Sequence, residues 1–367
     1  MSTARTLGNI GDTLTGTSNN TTTFSGNVSV SGNITTSDGT QFNTANSLGT
    51  RNRIMNGAFT VWQRGTSATL ANGAGSDVFC ADRWVAEASN GGGNATGGTV
   101  VWSQSTVDST MAYGSPYYMN ITCTSFAGTG SVPNSQLTIF QRIEAANIYD
   151  LAGKTVTLSF YSSITSASGG TFVGNIYLGY PPSVDSGYNV SPTYIGPITF
   201  SPTATPQKFT ITTTLASGFQ NGCVVYIRAV NTGTTASTVV FNIGSVQLEQ
   251  GTIATPFERR PYGLELSLCQ RYYWRAGGAA NAYPTIYGNT FGATAAFGAT
   301  IGFPVQMRAA PTVTKYGTWT ISGSSSQPVV DSIDKNGFLF YTIGSAANNV
   351  KIYPADATTY IDALAEI

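Results

Sequence analysis

The sequence contains no histidine. Without an imidazole, the chain has neither the base of a Ser-His-Asp or Cys-His nucleophile nor the nitrogen ligand of the common zinc sites. Its four cysteines, Cys80, Cys123, Cys223 and Cys269, are too far apart for a Cys-x-x-Cys motif. We expect four buried free thiols that behave as small hydrophobic side chains, and no metal or cofactor.

Charge is also scarce, since 9% of the residues are charged and the 17 basic and 17 acidic side chains cancel. Ordinary soluble proteins have ~25% charged residues. Nucleic-acid binding requires a basic surface, which a neutral chain of this kind lacks. No run of about 18 apolar residues and no charged-then-apolar leader occurs, so we expect neither membrane insertion nor export by a standard signal.

Glycine is abundant, with 42 residues, and Ser, Thr and Asn accompany it, which is typical of an all-β protein with many turns. Alternating segments predict an antiparallel jelly-roll-like β-sandwich over residues 51–260 and a second β domain over residues 276–367. The predicted sandwich strands are residues 54–62, 83–86, 99–104, 117–123, 135–143, 155–164, 172–178, 207–214, 223–230 and 238–248. The end of the second domain, residues 360–367, fits a strand or a short helix.

One helix is predicted between these domains. Residues 246–274 read VQLEQGTIATPFERRPYGLELSLCQRYYW and begin with the two-residue period of a strand. Leu264, Leu268 and Tyr272 then lie four apart, which predicts an amphipathic helix over residues 262–275. Pro256 and Pro261 cannot lie inside a helix, so the helix begins near residue 262. Residues 261–275 are therefore a predicted helical clamp between the two domains.

Residues 1–50 form a separate predicted segment. SGNV at residues 25–28 recurs as SGNI at residues 31–34, and LGNI stands at residues 7–10. The apolar residues Ile10, Val28 and Ile34 cannot bury themselves within one chain, so we predict that they meet on the axis of a homotrimeric stalk. An extended arm that docks on a larger assembly and a flexible polar tail are the alternatives.

Three segments carry a resemblance to a known class of proteins. Residues 56–66 read NGAFTVWQRGT, residues 81–84 read ADRW, and residues 247–273 contain QLE, ATPFE, RPYG and LCQRYY at fixed spacing. Together they resemble a module of tailed-phage virion proteins of the fibre, appendage and head-decoration kind. Residues 304–313, PVQMRAAPTV, resemble a further element of the same proteins. The resemblance implies a structural virion protein that is assembled in the host cytoplasm.

The position within the virion stays open. We predict a tail fibre or appendage that acts in host attachment, and the short stalk favours a squat appendage over a long fibre. A capsid decoration or head-fibre protein that docks on the major capsid protein is the first alternative. The second is a carbohydrate-binding lectin module, because β-sandwiches of this kind resemble such modules. The expected partners are two further copies of the chain, other virion proteins and a host surface glycan.

A candidate glycan platform lies in a loop-rich stretch. Tyr177, Tyr180, Tyr188 and Tyr194 stand among Gly, Pro, Ser and Asn, a composition typical of adaptable recognition surfaces. The alternative is that these tyrosines pack at the edge of the sandwich or in a trimer interface. Trp62 and Trp84 lie in apolar patterns and are predicted core residues.

The clamp holds the densest charge cluster, Glu258, Arg259 and Arg260. An arginine fork binds a carboxylate through two hydrogen bonds, so we predict that Arg259 or Arg260 pairs across domains or subunits. A second aromatic set just after the cluster, Tyr273, Trp274, Tyr283 and Tyr287, is expected to face the subunit interface.

A catalytic role has little support in the sequence. Glycoside hydrolysis needs two carboxylates ~5–10 Å apart. Asp77 with Asp82, and Asp331 with Asp334, are close in sequence, but nothing places either pair in a groove. We expect the protein not to be an enzyme.

Overall fold

The computed structural model describes residues 34–35, 41–42, 51–71, 78–89, 99–106, 114–126, 135–167, 172–188, 191–231, 237–345 and 349–367. Ile10 and Val28 of the predicted stalk lie outside these residues. Ile34 belongs to a short strand, β1 (Ile34–Thr35), which pairs antiparallel with β2 (Gln41–Phe42).

The first large unit is an antiparallel β-sandwich of two six-stranded sheets. Its strands are β3 (Ser67–Ala71), β4 (Val78–Phe79), β5 (Val85–Ser89), β6 (Thr99–Thr106), β7 (Tyr117–Phe126), β8 (Ser135–Ile143), β9 (Thr155–Ser166), β10 (Phe172–Tyr180), β11 (Thr193–Phe200), β12 (Gln207–Thr214), β13 (Cys223–Asn231) and β14 (Ser237–Gln250). One sheet has the order β11-β10-β13-β8-β5-β4 and the other has β12-β9-β14-β7-β6-β3. Short 3₁₀ helices at Ala145–Asn147, Tyr149–Leu151 and Ser217–Asn221 lie in the connections.

The core lies between the two sheets and follows from the two-residue period of the strands. On β13, Cys223, Val225 and Ile227 are fully buried in it. The alternate residues of β13 point to the outer face of the same sheet. Trp84 and Trp102 are also fully buried. Each large apolar side chain removed from water in this way contributes ~1.5–3 kcal/mol to stability.

The predicted all-β, jelly-roll-like fold is confirmed, and the predicted strands 135–143 and 207–214 match β8 and β12 residue for residue. The predicted strand over residues 54–62 is wrong. Ile54, Phe59 and Val61 are buried there, but Asn56 and Phe59 both have φ near +53°. Backbone in that region cannot continue an extended ladder, so residues 51–66 form a buried loop, hereafter the leading loop.

The helix α1 spans Tyr262–Gln270, and so ends before the predicted residue 275. The amide of Tyr272 donates to the carbonyl of Cys269 in a tight turn, 2.9 Å away. The next strand begins at Tyr273, because its backbone pairs with the last strand of the chain. Leu264, in the predicted apolar row, is 49% exposed.

The second unit contains three three-stranded antiparallel sheets. Its strands are β15 (Tyr273–Gly277), β16 (Ile286–Asn289), β17 (Ala296–Gly302), β18 (Thr312–Tyr316), β19 (Thr320–Ser322), β20 (Val329–Asp331), β21 (Gly337–Ile343), β22 (Asn349–Tyr353) and β23 (Tyr360–Leu364). The sheet orders are β15-β23-β18, β16-β22-β19 and β17-β21-β20. Trp274, Trp319, Phe338 and Phe340 fill the core that the sheets enclose. The end of the chain is a strand rather than a helix.

Candidate binding face and interdomain junction

Tyr177, Tyr194, Tyr226 and Arg228 lie together on the outer side of the sheet that contains β10, β11 and β13, and we call them the tyrosine face. The rings of Tyr177 and Tyr194 meet edge to face with centroids 5.9 Å apart, and those of Tyr194 and Tyr226 do so at 5.8 Å. Tyr194 is 42% exposed, whereas Tyr226 is buried at the base. The face is therefore an aromatic surface on rigid strands, open at Tyr194.

Strand register explains why these residues meet. Tyr177 of β10 lies opposite Tyr226 of β13, and Gly179 lies opposite Tyr194 of β11. A Cβ atom at position 179 would lie 2.7 Å from the Tyr194 ring and 3.1 Å from Val224. Glycine at this position therefore lets the Tyr194 ring lie against the sheet.

Arg228 supplies the charge of the face. The carbon at the centre of its guanidinium group lies 4.8 Å from the centroid of the Tyr177 ring and 5.0 Å from that of Tyr226. At these distances a guanidinium is attracted by the ring quadrupole. Burial is the main cause that raises the pKa of Tyr226, followed by its hydrogen bond with Tyr194. The phenol of Tyr226 is therefore neutral at physiological pH.

Two of the four tyrosines predicted as a platform lie elsewhere. Tyr188 is 4% exposed, and its hydroxyl donates a hydrogen bond of 2.9 Å to the carbonyl of Ile143, so a surface position for it is wrong. Tyr180 is turned to the core side of β10, where its ring packs on Phe219 with centroids 5.1 Å apart. The structure brings only Tyr177 and Tyr194 together.

Sequence reasoning missed Tyr226 and Arg228. The signal was present in β13, where Val224, Tyr226 and Arg228 alternate with the core residues. The alternation identifies a second face but does not say that the tyrosines of β10 and β11 share it, because that depends on which strands are neighbours.

An apolar cluster borders the tyrosine face and links it to the second unit. Phe140 packs on Tyr226 with ring centroids 4.8 Å apart. Val85 and Val224 are buried beside them, and Ile367 packs against the same cluster. The last residues of the sequence thus cover part of the outer face of the sandwich.

The charge cluster of the clamp contacts other parts of the same chain. Arg260 lies 3.2 Å from a carboxylate oxygen of Glu265 in α1 and donates to the carbonyls of Ile54, at 3.0 Å, and Asn52. It therefore ties α1 to the leading loop. Glu258 accepts a hydrogen bond of 2.9 Å from the amide of Asn52.

Arg259 has a different role from Arg260. It donates 2.7 Å and 3.3 Å hydrogen bonds to the carbonyl of Gly114 and forms no ion pair with a carboxylate of the described residues. Its side chain lines a cavity of about 280 Å³ together with Lys208 and Tyr161.

A second group of charges joins the sandwich to the second unit, and we call it the interdomain junction. Arg83 is buried, forms an ion pair with Glu366, and donates to the carbonyl of Arg142 at 2.5 Å. Its guanidinium carbon also lies 3.5 Å from the centroid of the Tyr272 ring. Arg64 lies 3.4 Å from Glu366. The two units are thus joined by buried charges.

Tyr273 and Trp274 do not face outward. Tyr273 is 2% exposed, and its hydroxyl donates a 2.7 Å hydrogen bond to Asp362. Trp274 is 6% exposed and packs edge to face on Phe303 in the core of the second unit. Their predicted position at a subunit interface is wrong, because the single chain already buries both.

The structure describes three of the four acidic residues of the candidate catalytic pairs, Asp82, Asp331 and Asp334. Asp77 lies outside the described residues, and Asp82 is buried, where burial raises its pKa against the opposing effect of Arg64. Asp334 accepts hydrogen bonds from the amides of Asn336 and Gly337, which lower its pKa. Asp331 accepts a hydrogen bond from the amide of the next residue.

Within the described ranges, no three His, Cys, Asp or Glu side chains are placed to hold a metal ion. No helix in those ranges is long and apolar enough to span a membrane.

Comparison with known proteins gives only partial structural likeness. No protein-family model and no curated protein matches the chain. An enzymatically active domain of tailspike protein 4 of bacteriophage CBA120 matches with a TM-score of 0.33 and 12% identity, over 55% of this chain and 21% of that one. A structure described as CBM4 matches at 0.32 and 20%, over 53% and 98%. The CBM22-1 xylan-binding domain of Paenibacillus barcinonensis Xyn10C matches at 0.29 and 12%, over 51% and 95%.

Proposed function

We propose that this chain is a structural protein of a tailed-phage virion, a homotrimeric tail fibre or appendage that acts in host attachment. Its role is adhesive and mechanical, without catalysis, and the tyrosine face contacts a host surface glycan. The support comes from the positions of the residues that carry the resemblance and from the exposed aromatic surface that they leave free.

The segments that carry the resemblance interlock. The amide of Asn56 donates to Glu265 of α1 at 2.5 Å, and its side-chain amide donates to the carbonyl of Asp82 at 3.0 Å. Arg83 stacks on Tyr272. All three segments thus meet in one buried joint, so they support the assignment to a structural module. Because this joint is buried, a surface that contacts a partner lies elsewhere on the molecule.

The observation that carries the adhesive role is the tyrosine face. Two edge-to-face contacts hold its rings on paired strands, so little side-chain freedom is lost when a ligand binds. Tyrosine offers an apolar ring for the C–H face of a sugar and a hydroxyl for its polar edge. The face therefore has the chemistry of a glycan contact without any group that would cleave the glycan.

A binding experiment on the purified full-length protein tests this role. We expect saturable binding to a glycan array, and loss of that binding in Tyr194→Ala with an unchanged melting temperature. Tyr149→Ala is the matched control, because Tyr149 is 62% exposed and lies outside the face. An absence of binding to every glycan, or equal loss in both variants, would contradict the role of the face.

The place in the virion is tested separately. Light scattering on the purified protein measures whether the chain is a trimer, and copy number per virion separates the two positions. A handful to a few dozen copies indicates a tail appendage. Hundreds of copies would indicate capsid decoration and would overturn the tail assignment.

A further inference from the structure

Arg228 differs from every other arginine that the structure describes. The others donate at least one hydrogen bond to a protein oxygen, for example Arg259 to Gly114 and Arg275 to Asp362. Arg228 has no protein acceptor and no ion pair among the described residues, and its Nε is buried without a partner. Its contacts are the rings of Tyr177 and Tyr226.

Ring contacts do not satisfy a guanidinium group. The attraction to a ring acts over its face, whereas the five N–H groups point outward in the guanidinium plane. A buried donor without an acceptor is unfavourable. Arg53, Arg83 and Arg142 also have a buried Nε without a partner, but each donates to the protein through another nitrogen, which Arg228 does not. An acceptor from outside the chain would satisfy Arg228. The best partner for this planar fork is an anion with two coplanar oxygens, that is, a carboxylate.

The sheet itself does not supply that anion. In the strand register Arg228 lies opposite Thr138, and Thr138 lies opposite Glu87. Two strand spacings of ~4.8 Å place the backbone of Glu87 about 10 Å from that of Arg228. No ion pair joins the two side chains, so the guanidinium of Arg228 has no carboxylate of the described residues in direct contact.

We propose that Arg228, held between Tyr177 and Tyr226, is a carboxylate-binding subsite, and that the glycan bound by the tyrosine face contains an acidic, carboxylated sugar. This inference rests on the proposed glycan-binding role and adds the substrate class to it. The carboxylate accepts two hydrogen bonds from Arg228, and the exposed Tyr194 ring, beside both tyrosines, contacts the apolar side of the sugar ring.

The first test compares neutral, carboxylated and sulfated glycans on one array with the full-length protein. Binding to carboxylated glycans, and its loss when their carboxyl groups are converted to methyl esters, is the expected result. Binding to neutral glycans alone would overturn the carboxylate subsite and leave the glycan-binding role intact. Preference for sulfated over carboxylated glycans would also overturn it, and no binding at all would overturn both proposals.

The second test uses variants. Arg228→Gln should weaken binding of the carboxylated glycan about tenfold or more, the effect of losing a hydrogen bond to a charged group. The melting temperature should change little, because the Arg228 side chain makes no hydrogen bond within the described protein and contacts only the two rings. Arg259→Gln, which removes a surface arginine outside the face, should leave binding unchanged. A drop in melting temperature together with unchanged affinity in Arg228→Gln would show that the residue is structural and contradict the subsite.

Discussion

At the scale of single residues, the few charges of the chain are concentrated in buried contacts. The side chain of Arg83 is 2% exposed and that of its partner Glu366 is 5% exposed. Taking two charges out of water is costly, and the cost is offset only when the remaining donors are also satisfied. Arg83 meets this condition in part, because one Nη donates to the carbonyl of Arg142 and the guanidinium lies over the ring of Tyr272, whereas its Nε is buried without a hydrogen-bond partner.

Removing this arginine should therefore destabilise the fold strongly. We expect Arg83→Met to lower the free energy of unfolding by ~3–5 kcal/mol, because Glu366 would remain as a buried charge without its main partner. Arg53→Met is the matched control. Its partner Asp150 has a side chain that is 42% exposed, and exposed pairs contribute only ~0–1 kcal/mol. Urea unfolding of both variants measures the difference, and equal losses would contradict a special role for Arg83.

The buried thiols give a prediction for pH. All four cysteines are free and buried, as expected from the sequence. Burial raises the pKa of Cys80 and Cys123 from 9.0 to about 12. Between pH 9 and 12 the unfolded chain loses these protons while the folded chain retains them, so stability is complete below pH 9 and falls as the pH rises. The slope is ~1.4 kcal/mol per pH unit for each such thiol.

Replacing one thiol should make this slope shallower. We expect Cys123→Ala to reduce the loss of unfolding free energy between pH 9 and pH 11 by the contribution of one group. Val100→Ala is the control for lost core volume, because Val100 is buried directly opposite Cys123 in the register and carries no titrating group. Identical slopes in the two variants would show that the Cys123 thiol titrates alike in the folded and unfolded states.

Single residues also show where sequence reasoning stops. The local composition predicted the same role for Tyr188 and Tyr194. The register and the packing show that the hydroxyl of Tyr188 is buried and that the ring of Tyr194 is exposed. Arg228 was visible in an alternating strand without any indication of its neighbours. Residue type and period predict which faces exist, whereas the partners of a face depend on long-range strand order.

At the scale of elements, the leading loop and β14 depend on each other. The amide of Val246 donates to the carbonyl of Gly57 at 2.9 Å. A Cβ atom on Gly57 would clash with the carbonyl oxygen of Val246. The close approach explains why buried apolar residues occur here without a strand, a feature that the hydrophobic pattern alone does not predict.

Two glycine substitutions distinguish the close backbone contact at Gly57 from the general effect of replacing a glycine by alanine. Gly57→Ala should destabilise by ~1–3 kcal/mol, because the backbone of β14 cannot move without disturbing the sheet. Gly263→Ala, in α1, meets no atom within 4 Å and should stabilise by up to ~1 kcal/mol through helix propensity. Thermal unfolding of both variants measures the signs. Destabilisation by Gly263→Ala, or none by Gly57→Ala, would contradict this account.

The strands and the helix differ in how far they follow from sequence. Strands with a clean two-residue period, such as β8 and β12, had the predicted bounds. The helix began at residue 262 as the two prolines required, but its end was misplaced, since Tyr272 continues the four-residue spacing after the helix has stopped. The backbone carbonyl of Tyr272 accepts a hydrogen bond from the amide of Ala365, which is far away in the sequence. A local pattern contains no information about such a partner.

At the scale of the whole molecule, the last residues of the sequence connect both units. Arg142 of the sandwich donates to the backbone oxygen of Ile367 at 2.7 Å, and Glu366 pairs with Arg83 and Arg64. In the opposite direction, Arg308 of the second unit lies 3.7 Å from Glu144 of the sandwich. Each unit therefore provides charges that the other needs, and unfolding of either one would leave buried charges unpaired in its neighbour.

This dependence predicts cooperative unfolding. The two units, residues 51–367, should unfold together, so the full-length protein should show one calorimetric transition. Its calorimetric and van't Hoff enthalpies should be equal. Glu366→Gln should lower that single transition, by ~3–5 kcal/mol in unfolding free energy, because Arg83 and Arg64 lose a buried carboxylate. Asp356→Asn should have little effect, since Asp356 is exposed and, among the described residues, its side chain bonds only to the neighbouring Thr358 and Thr359. Two transitions, of which Glu366→Gln moves only one, would show that the junction joins the units without coupling their stability.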